Sequence, residues 1–411
     1  MKSPKALTLL ALSSLSTLAH GAGFYLSEIG TPGSLGTAGV ANPVNTAGAD
    51  AAWANPAGMT GLESDQILLG SQVLMPTMRF DSGSGNEVAG SDGGNAGVTT
   101  PVPSFFVAKK LTDTLTGGFS IVGVMGGGAD YGSDFVGRYG AIEVELMGVG
   151  ISPSLGWQVN ERLSVGAGIS VLYTQFYQEV AVASPLPMGD DGRVEFDELD
   201  DWGYQPFFGL TYQINDKTLF GLVYRAEAEV ELEGDLNFKN FAVAPPVDDV
   251  KLEWDNPQWL EIGLSYQFND EWMGAINVGW QEWSTFSENV ITIPASDGVP
   301  VILDRDWDDT WHAGVAITRR GENHQWSLGF SYESSPVSDS QRTIDFPVDE
   351  QYKFSGAYGW QINDKWDMAL GATVILYGDG EVSQETSGGL VEGDFSTYMM
   401  VIAGATFRYH F

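Results

Sequence analysis

From residue 63 to its end, this chain repeats one pattern: apolar side chains at every second position. Leu260, Ile262, Leu264, Tyr266 and Phe268 fall on one face, with Glu261, Gly263, Ser265 and Gln267 opposite. Trp272, Ile276, Val278 and Trp280 oppose Ala275, Asn277 and Gly279, and Trp366, Met368, Leu370, Ala372, Val374 and Leu376 oppose Asp367, Gly371 and Thr373. Period two is the signature of strands that are greasy on one side only. A soluble sandwich with a dry inside and a membrane barrel with a greasy outside both use it. The aromatics separate the two. Trp272, Trp280, Trp366 and Tyr409 sit at strand ends, where amphipathic rings meet lipid headgroups. The opposite face carries Gly, Ser, Gln and Asn rather than the Lys and Glu of a solvent surface, which suits a barrel interior.

The connections have their own rhythm. Asn160-Glu161, Asn215-Asp216-Lys217, Asn269-Asp270-Glu271, Arg320 to His324 and Asn363-Asp364-Lys365 are short turn signals between alternating runs. Between them lie long polar connections at 81–100, 128–143, 183–201, 233–254, 289–305, 335–350 and 379–395. Short turns at one end and long loops at the other describe an outer-membrane barrel. The runs predict fourteen antiparallel strands, an even number that puts both barrel ends on the periplasmic side.

Residues 1–21 read as a secretory signal: Lys2 and Lys5, an apolar stretch from Ala6 to Leu18, then Ala19-His20-Gly21. No later stretch approaches the ~20 apolar residues of a membrane helix. The chain carries 54 Asp and Glu against 19 Lys and Arg, so nucleic acid is excluded as a partner. With no Cys, disulfide scaffolds, thiolate metal sites and Cys nucleophiles fall as well. No cofactor motif is present. His312, His324 and His410 lack metal-ligand spacing, and His312 beside Asp308 and Asp309 is weak ground for a hydrolase. The acidic runs read as solvated loops, with Ca²⁺ binding as the alternative. The last strand ends Phe407-Arg408-Tyr409-His410-Phe411, an aromatic pattern similar to the signal read by the barrel-insertion machinery.

Residues 22–62 differ: they are rich in Gly and Ala, nearly uncharged, and lack period two. Such a segment gains by burial, which predicts a plug inside the barrel. Its start Ala22-Gly23-Phe24, the stretch Ala49 to Gly58 and the Asn55-Pro56-Ala57 triplet just before the first strand resemble the hatch of FadL-type outer-membrane transporters. Asp201-Trp202-Gly203-Tyr204, Tyr224-Arg225, Glu282-Trp283-Ser284 and Ser334-Ser335-Pro336-Val337 add weaker matches along 63–411.

The resemblance implies a 14-stranded transmembrane β-barrel, acting as a monomer, closed by an N-terminal hatch whose Phe24, Asn55, Pro56 and Ala57 contribute to gating. It implies uptake of a hydrophobic small molecule, a long-chain fatty acid or an aromatic hydrocarbon. Capture in extracellular loops beneath lipopolysaccharide would precede binding in an apolar lumen pocket and sideways release into outer-membrane lipid. The lateral opening in such proteins arises from a kink in the third strand. Gly126, Gly127 and Gly128 would permit one here, although an ordinary loop start reads the same. Fatty-acid transporters of this type hold the carboxylate with lumen bases, which are few in this chain. Arg138, Arg225 and Arg305 are the candidates. A general porin is the weaker alternative, since the 22–62 segment would obstruct it.

Overall fold

The computed structural model describes residues 26–184, 191–241, 249–294, 300–345 and 347–411; the leader and Phe24 lie outside these residues. Fourteen long strands form the wall. The first seven are Gln66–Ser82 (β1), Thr100–Lys110 (β2), Leu115–Asp130 (β3), Glu143–Gln158 (β4), Leu163–Val182 (β5), Gly192–Asn215 (β6) and Thr218–Arg225 (β7). Trp259–Gln267 (β10), Trp272–Gln281 (β11), Thr310–Arg320 (β14), His324–Glu333 (β15), Gln351–Asn363 (β16), Trp366–Tyr377 (β17) and Gly389–His410 (β19) complete it. Each pairs antiparallel with its neighbour, and β1 pairs with β19, from Gln66 opposite His410 to Ser82 opposite Gly393. The ring is closed.

The faces follow the alternation. Ile276, Val278, Trp311, Val315, Leu328, Phe354, Leu370 and Trp366 are exposed on the outside, while Glu261, Ser265, Asn277, Thr318, Ser327 and Thr373 are buried inside. A greasy exterior around a polar interior is the arrangement a bilayer selects. The short turns hold by the expected chemistry: Asn160 Oδ1 accepts from the Arg162 and Leu163 amides at 2.9 and 3.0 Å, Asn269 Oδ1 from Glu271 and Trp272 at 3.0 Å each, and Asn363 Oδ1 from Lys365 at 3.0 Å.

Several long connections are more ordered than the sequence suggested. β3 runs on to Asp130, so Gly126 to Gly128 lie within it, and β6 and β19 begin at Gly192 and Gly389 inside segments expected to be loops. Among the described residues, five shorter strands stand beyond the wall: Glu231–Lys239 (β8), Asp249–Glu253 (β9), Glu288–Thr292 (β12), Pro300–Asp304 (β13) and Val382–Thr386 (β18). The first four extend the upper part of β6 into a sheet in the order β6, β8, β9, β12, β13. Their alternation was hidden because the outer face is charged. Glu231, Glu233, Asp235 and Lys251 cover Leu232, Leu236, Val250 and Leu252, which are buried over a cluster of Trp254, Trp283, Phe286 and Trp307.

This acidic sheet has a pH dependence. Asp255, just after β9, is pushed up to about 6 by burial and by the carboxylates of Glu227, Glu229 and Glu253. The folded value exceeds the ~3.9 of an unfolded Asp, so the folded state holds the proton longer. Stability of the sheet should therefore fall as pH rises from about 4 to about 6 and stay level above. Asp255→Asn should remove that dependence, read as protease resistance of residues 226–241 and 249–256 against pH; an unchanged profile would contradict the assignment.

Candidate functional site

Residues 26–62 occupy the interior. Pro32–Leu35 packs on β16, β17 and β19; Asn42–Val44 on β6, β7 and β10; Ala51–Ala54 on β2, β3 and β4; Pro56–Gly61 on β3 to β6. Contacts thus run round the ring. The polar inner face serves the main chain of this segment. Thr373 Oγ1 donates to Leu35 O at 3.0 Å, Ser154 Oγ to Ala52 O at 2.9 Å, Gln72 Nε2 to Glu28 O at 2.7 Å, and Arg225 Nη2 to Trp53 O. A buried carbonyl without a donor costs about as much as a lost hydrogen bond, so these side chains are what lets an irregular segment sit inside a barrel. Glycines complete the socket: a Cβ on Gly221 would collide with Pro43 O, and one on Gly209 with Asn55 Oδ1.

Asn55 is the joint of the segment. Fully buried, its Nδ2 donates to Pro43 O at 2.6 Å and to Leu210 O on β6 at 3.2 Å, while its Oδ1 accepts from Ala57 N at 3.1 Å. Pro56 follows as the first residue of its short helix, where a missing N–H is harmless. Asn55→Ala should destabilise the segment by about 3 kcal/mol at ~1 kcal/mol per bond. Limited proteolysis would show it as easier cleavage within 26–62 with heat-modifiable migration retained; unchanged cleavage would contradict the role.

The wall is open between β2 and β3. β2 pairs with β3 from Lys110 opposite Thr116 up to Ser104 opposite Val122, and there the ladder stops. Above it, Val98 N donates to Gly128 O at 3.2 Å and Asp130 N to Ala96 O at 2.8 Å, so contact resumes. Residues 123–127 of β3 are left without a β2 partner. Two features cause this. β3 bulges between Gly123 and Met125. Pro101 and Pro103 share one edge of β2 and lack the N–H a ladder requires. The ladder to β1 continues past both prolines to Thr100 opposite Leu74, so the missing donors fall on the β3 side.

Behind the open stretch lies a cavity of about 70 Å³ lined by Leu74, Met78, Tyr377, Tyr398 and Met400 together with Gly126 to Gly128. Tyr377 and Tyr398 stack at 4.2 Å. Among the described residues of the lining, Asp345 is the only one with a carboxylate, and none is Lys or Arg.

The structure disperses the three arginine candidates. Arg138 pairs with Asp191 at 3.1 Å in the extracellular loops and also donates to Tyr139 Oη. Arg225 lies between the rings of Trp53 and Phe207, 4.4 and 4.3 Å from their centres. Arg305 donates to Asn289 Oδ1 at 2.7 Å, and burial pulls it down to about 10 with Asp345 acting the other way. None lines the apolar cavity. Gly126, Gly127 and Gly128 do, and Asn55, Pro56 and Ala57 are brought together in the plug. His312 faces Glu261 at 3.7 Å, whereas Asp309 accepts from Trp280 Nε1 at 2.8 Å, so the Asp/His pair of a hydrolase does not form. Sequence reasoning passed over Pro101, Pro103 and Lys353. The Pro-x-Pro spacing in a strand was a readable signal for a broken ladder edge.

A closed fourteen-stranded barrel with a greasy exterior and an interior filled by its own N-terminal segment defines an outer-membrane channel protein. Residues 12–411 match the family described as Outer membrane protein transport protein (OMPP1/FadL/TodX). The chain belongs to that family, whose members are outer-membrane transporters of hydrophobic compounds rather than enzymes. It is 21% identical to the Long-chain fatty acid transport protein of Escherichia coli O6:H1, over 99% of this chain and 98% of the relative. A solved Pseudomonas aeruginosa FadL homologue superposes with a TM-score of 0.86 at 18% identity, covering 94% of this chain and 100% of its own. The Ralstonia pickettii toluene transporter TbuX gives 0.69 at 19% identity, covering 97% and 99%.

Proposed function

We propose that this protein takes up long-chain fatty acids by passive passage through the apolar cavity and out sideways across residues 123–127 of β3. The cavity behind that open stretch carries the reading. An apolar lining attracts a hydrocarbon through burial at roughly 25 cal/mol per Å². An exit into bilayer hydrocarbon spares it a return to water. The plug obstructs a straight aqueous path, so the wall is the remaining route. Asn55, Pro56 and Ala57 would keep the plug seated, and Gly126 to Gly128 would keep the exit free of side chains.

A second reading, uptake of neutral or aromatic hydrocarbons, is favoured by the absence of any base among the described residues of the lining and by Asp345 within it. Growth of a host lacking its own hydrophobe channel separates the two. Expression of this chain should restore growth on oleate. Rescue confined to alkyl-aromatic carbon sources would select the second reading, and rescue on neither would overturn both.

A further inference from the structure

Inside the barrel lies a charge cluster that neither the wall nor the apolar cavity requires. Lys353 on β16 is buried, its Nζ 3.3 Å from Glu333 Oε2 on β15 and 3.7 Å from Glu28 Oε2 in the plug. It also donates to Ser27 Oγ at 3.2 Å, and Ser27 Oγ donates to Glu28 Oε2 at 2.7 Å. Glu261 on β10 and His312 on β14 stand beside it, with Asn277 Nδ2 donating to Glu261 Oε1 at 2.5 Å. A small cavity of about 30 Å³ lies between these groups, lined by Ser27, Glu261, Asn277, His312, Glu333 and Lys353. Charges withdrawn from water persist only where they are paired. Glu28 belongs to the plug, so its pairing with Lys353 exists only while the plug's leading segment is seated. Glu28 Oε1 and Glu333 Oε1 have no hydrogen-bond partner among the described residues, which leaves the arrangement easily tipped.

Two residues before Glu28, Leu26 ties the same segment to the exit. Its N–H donates at 2.9 Å to Val124 O, at the β3 bulge. Its side chain belongs to one apolar cluster with Leu74 and Met400, against which Tyr377 packs, and those three residues also line the apolar cavity. A ligand growing into that cavity competes with Leu26 for the same surfaces. The ion pair two residues away resists its displacement.

We propose that the Lys353–Glu28 pair is an autoinhibitory clasp. It holds residues 26–28 over the cavity and against the open stretch of β3, and so sets how strongly a ligand must bind to enter. The proposal rests on the cavity being the ligand site. A ligand shifts such an equilibrium only by its preference for one state, and the coupling is reciprocal: loosening the clasp tightens ligand binding.

The test uses the full chain in detergent, with amide hydrogen exchange over residues 26–35 and binding of the neutral fluorescent hydrophobe N-phenyl-1-naphthylamine. Glu28→Gln and Lys353→Met should each speed exchange of that segment and tighten probe binding about tenfold. The double variant should gain no more than Lys353→Met alone, because the pair that Glu28→Gln breaks is already absent there. Probe at saturation should speed exchange in the unmodified chain. Heat-modifiable migration checks folding; if Lys353→Met fails to fold, the near-isosteric Glu28→Gln decides alone. Unchanged exchange in Glu28→Gln, or faster exchange with unchanged probe affinity, overturns the clasp while leaving the cavity reading intact. No probe binding by the unmodified chain overturns both.

Discussion

Gly127→Trp is expected to stop uptake while leaving the barrel folded. A Cβ built on Gly127 meets nothing within 4 Å, and its φ is not left-handed, so a side chain enters without strain. It would project where the cavity meets the open stretch of β3. An indole is large against a space of about 70 Å³, and an obstruction worth even 1.4 kcal/mol slows passage about tenfold. Uptake of labelled oleate should fall by more than that factor. Outer-membrane recovery and heat-modifiable migration should match the parent. Gly127→Ala, which adds one methyl group, should transport almost normally. Normal transport by the tryptophan variant would remove the exit from this part of the wall.

Arg225→Ala should unseat the plug. The guanidinium is fully buried between aromatic rings, 4.4 Å from Trp53, 4.3 Å from Phe207 and 5.3 Å from Trp259. Nη1 donates to Ser170 Oγ at 3.3 Å, and Nη2 to Trp53 O. Desolvated cation–π contacts contribute up to about 2 kcal/mol each, and a charged hydrogen bond about as much. Truncation should cost the plug about 4 kcal/mol, and Arg225→Lys should recover little because an ammonium cannot stack in a flat slot. In planar bilayers the alanine variant should show frequent ion-conducting openings where the parent is quiet. Equal conductance would mean that Arg225 supports the wall alone.

Much of this was legible in the residues. Leu260, Ile262 and Leu264 face out and Glu261, Gly263 and Ser265 face in, as the alternation required. The turn asparagines bond their own main chain as their identity predicts. The interior was harder to read. Gly and Ser at the inward positions suggested a polar lumen, whereas Gly209 makes room for the Asn55 side chain and Gly221 for the Pro43 carbonyl, and Ser154 and Thr373 serve the carbonyls of the plug. That function depends on a partner more than a hundred residues away in sequence, which no local pattern encodes. The strands β8 and β9 escaped for another reason: alternating Glu with Leu reads as loop when acid dominates the composition. Lys353 was invisible as a clasp because its partner Glu28 lies at the other end of the chain.

The absence of native Cys gives the central claim a clean test. A Cβ on Gly123 would stand 3.7 Å from that of Val102, within the span of a disulfide. The double variant Val102→Cys, Gly123→Cys would pin β2 to β3 at the lower lip of the open stretch. Fatty-acid uptake should drop on oxidation and return on adding dithiothreitol, with each single-cysteine variant indifferent to both reagents. Equal uptake in the oxidised and reduced states would contradict passage through the wall at this point.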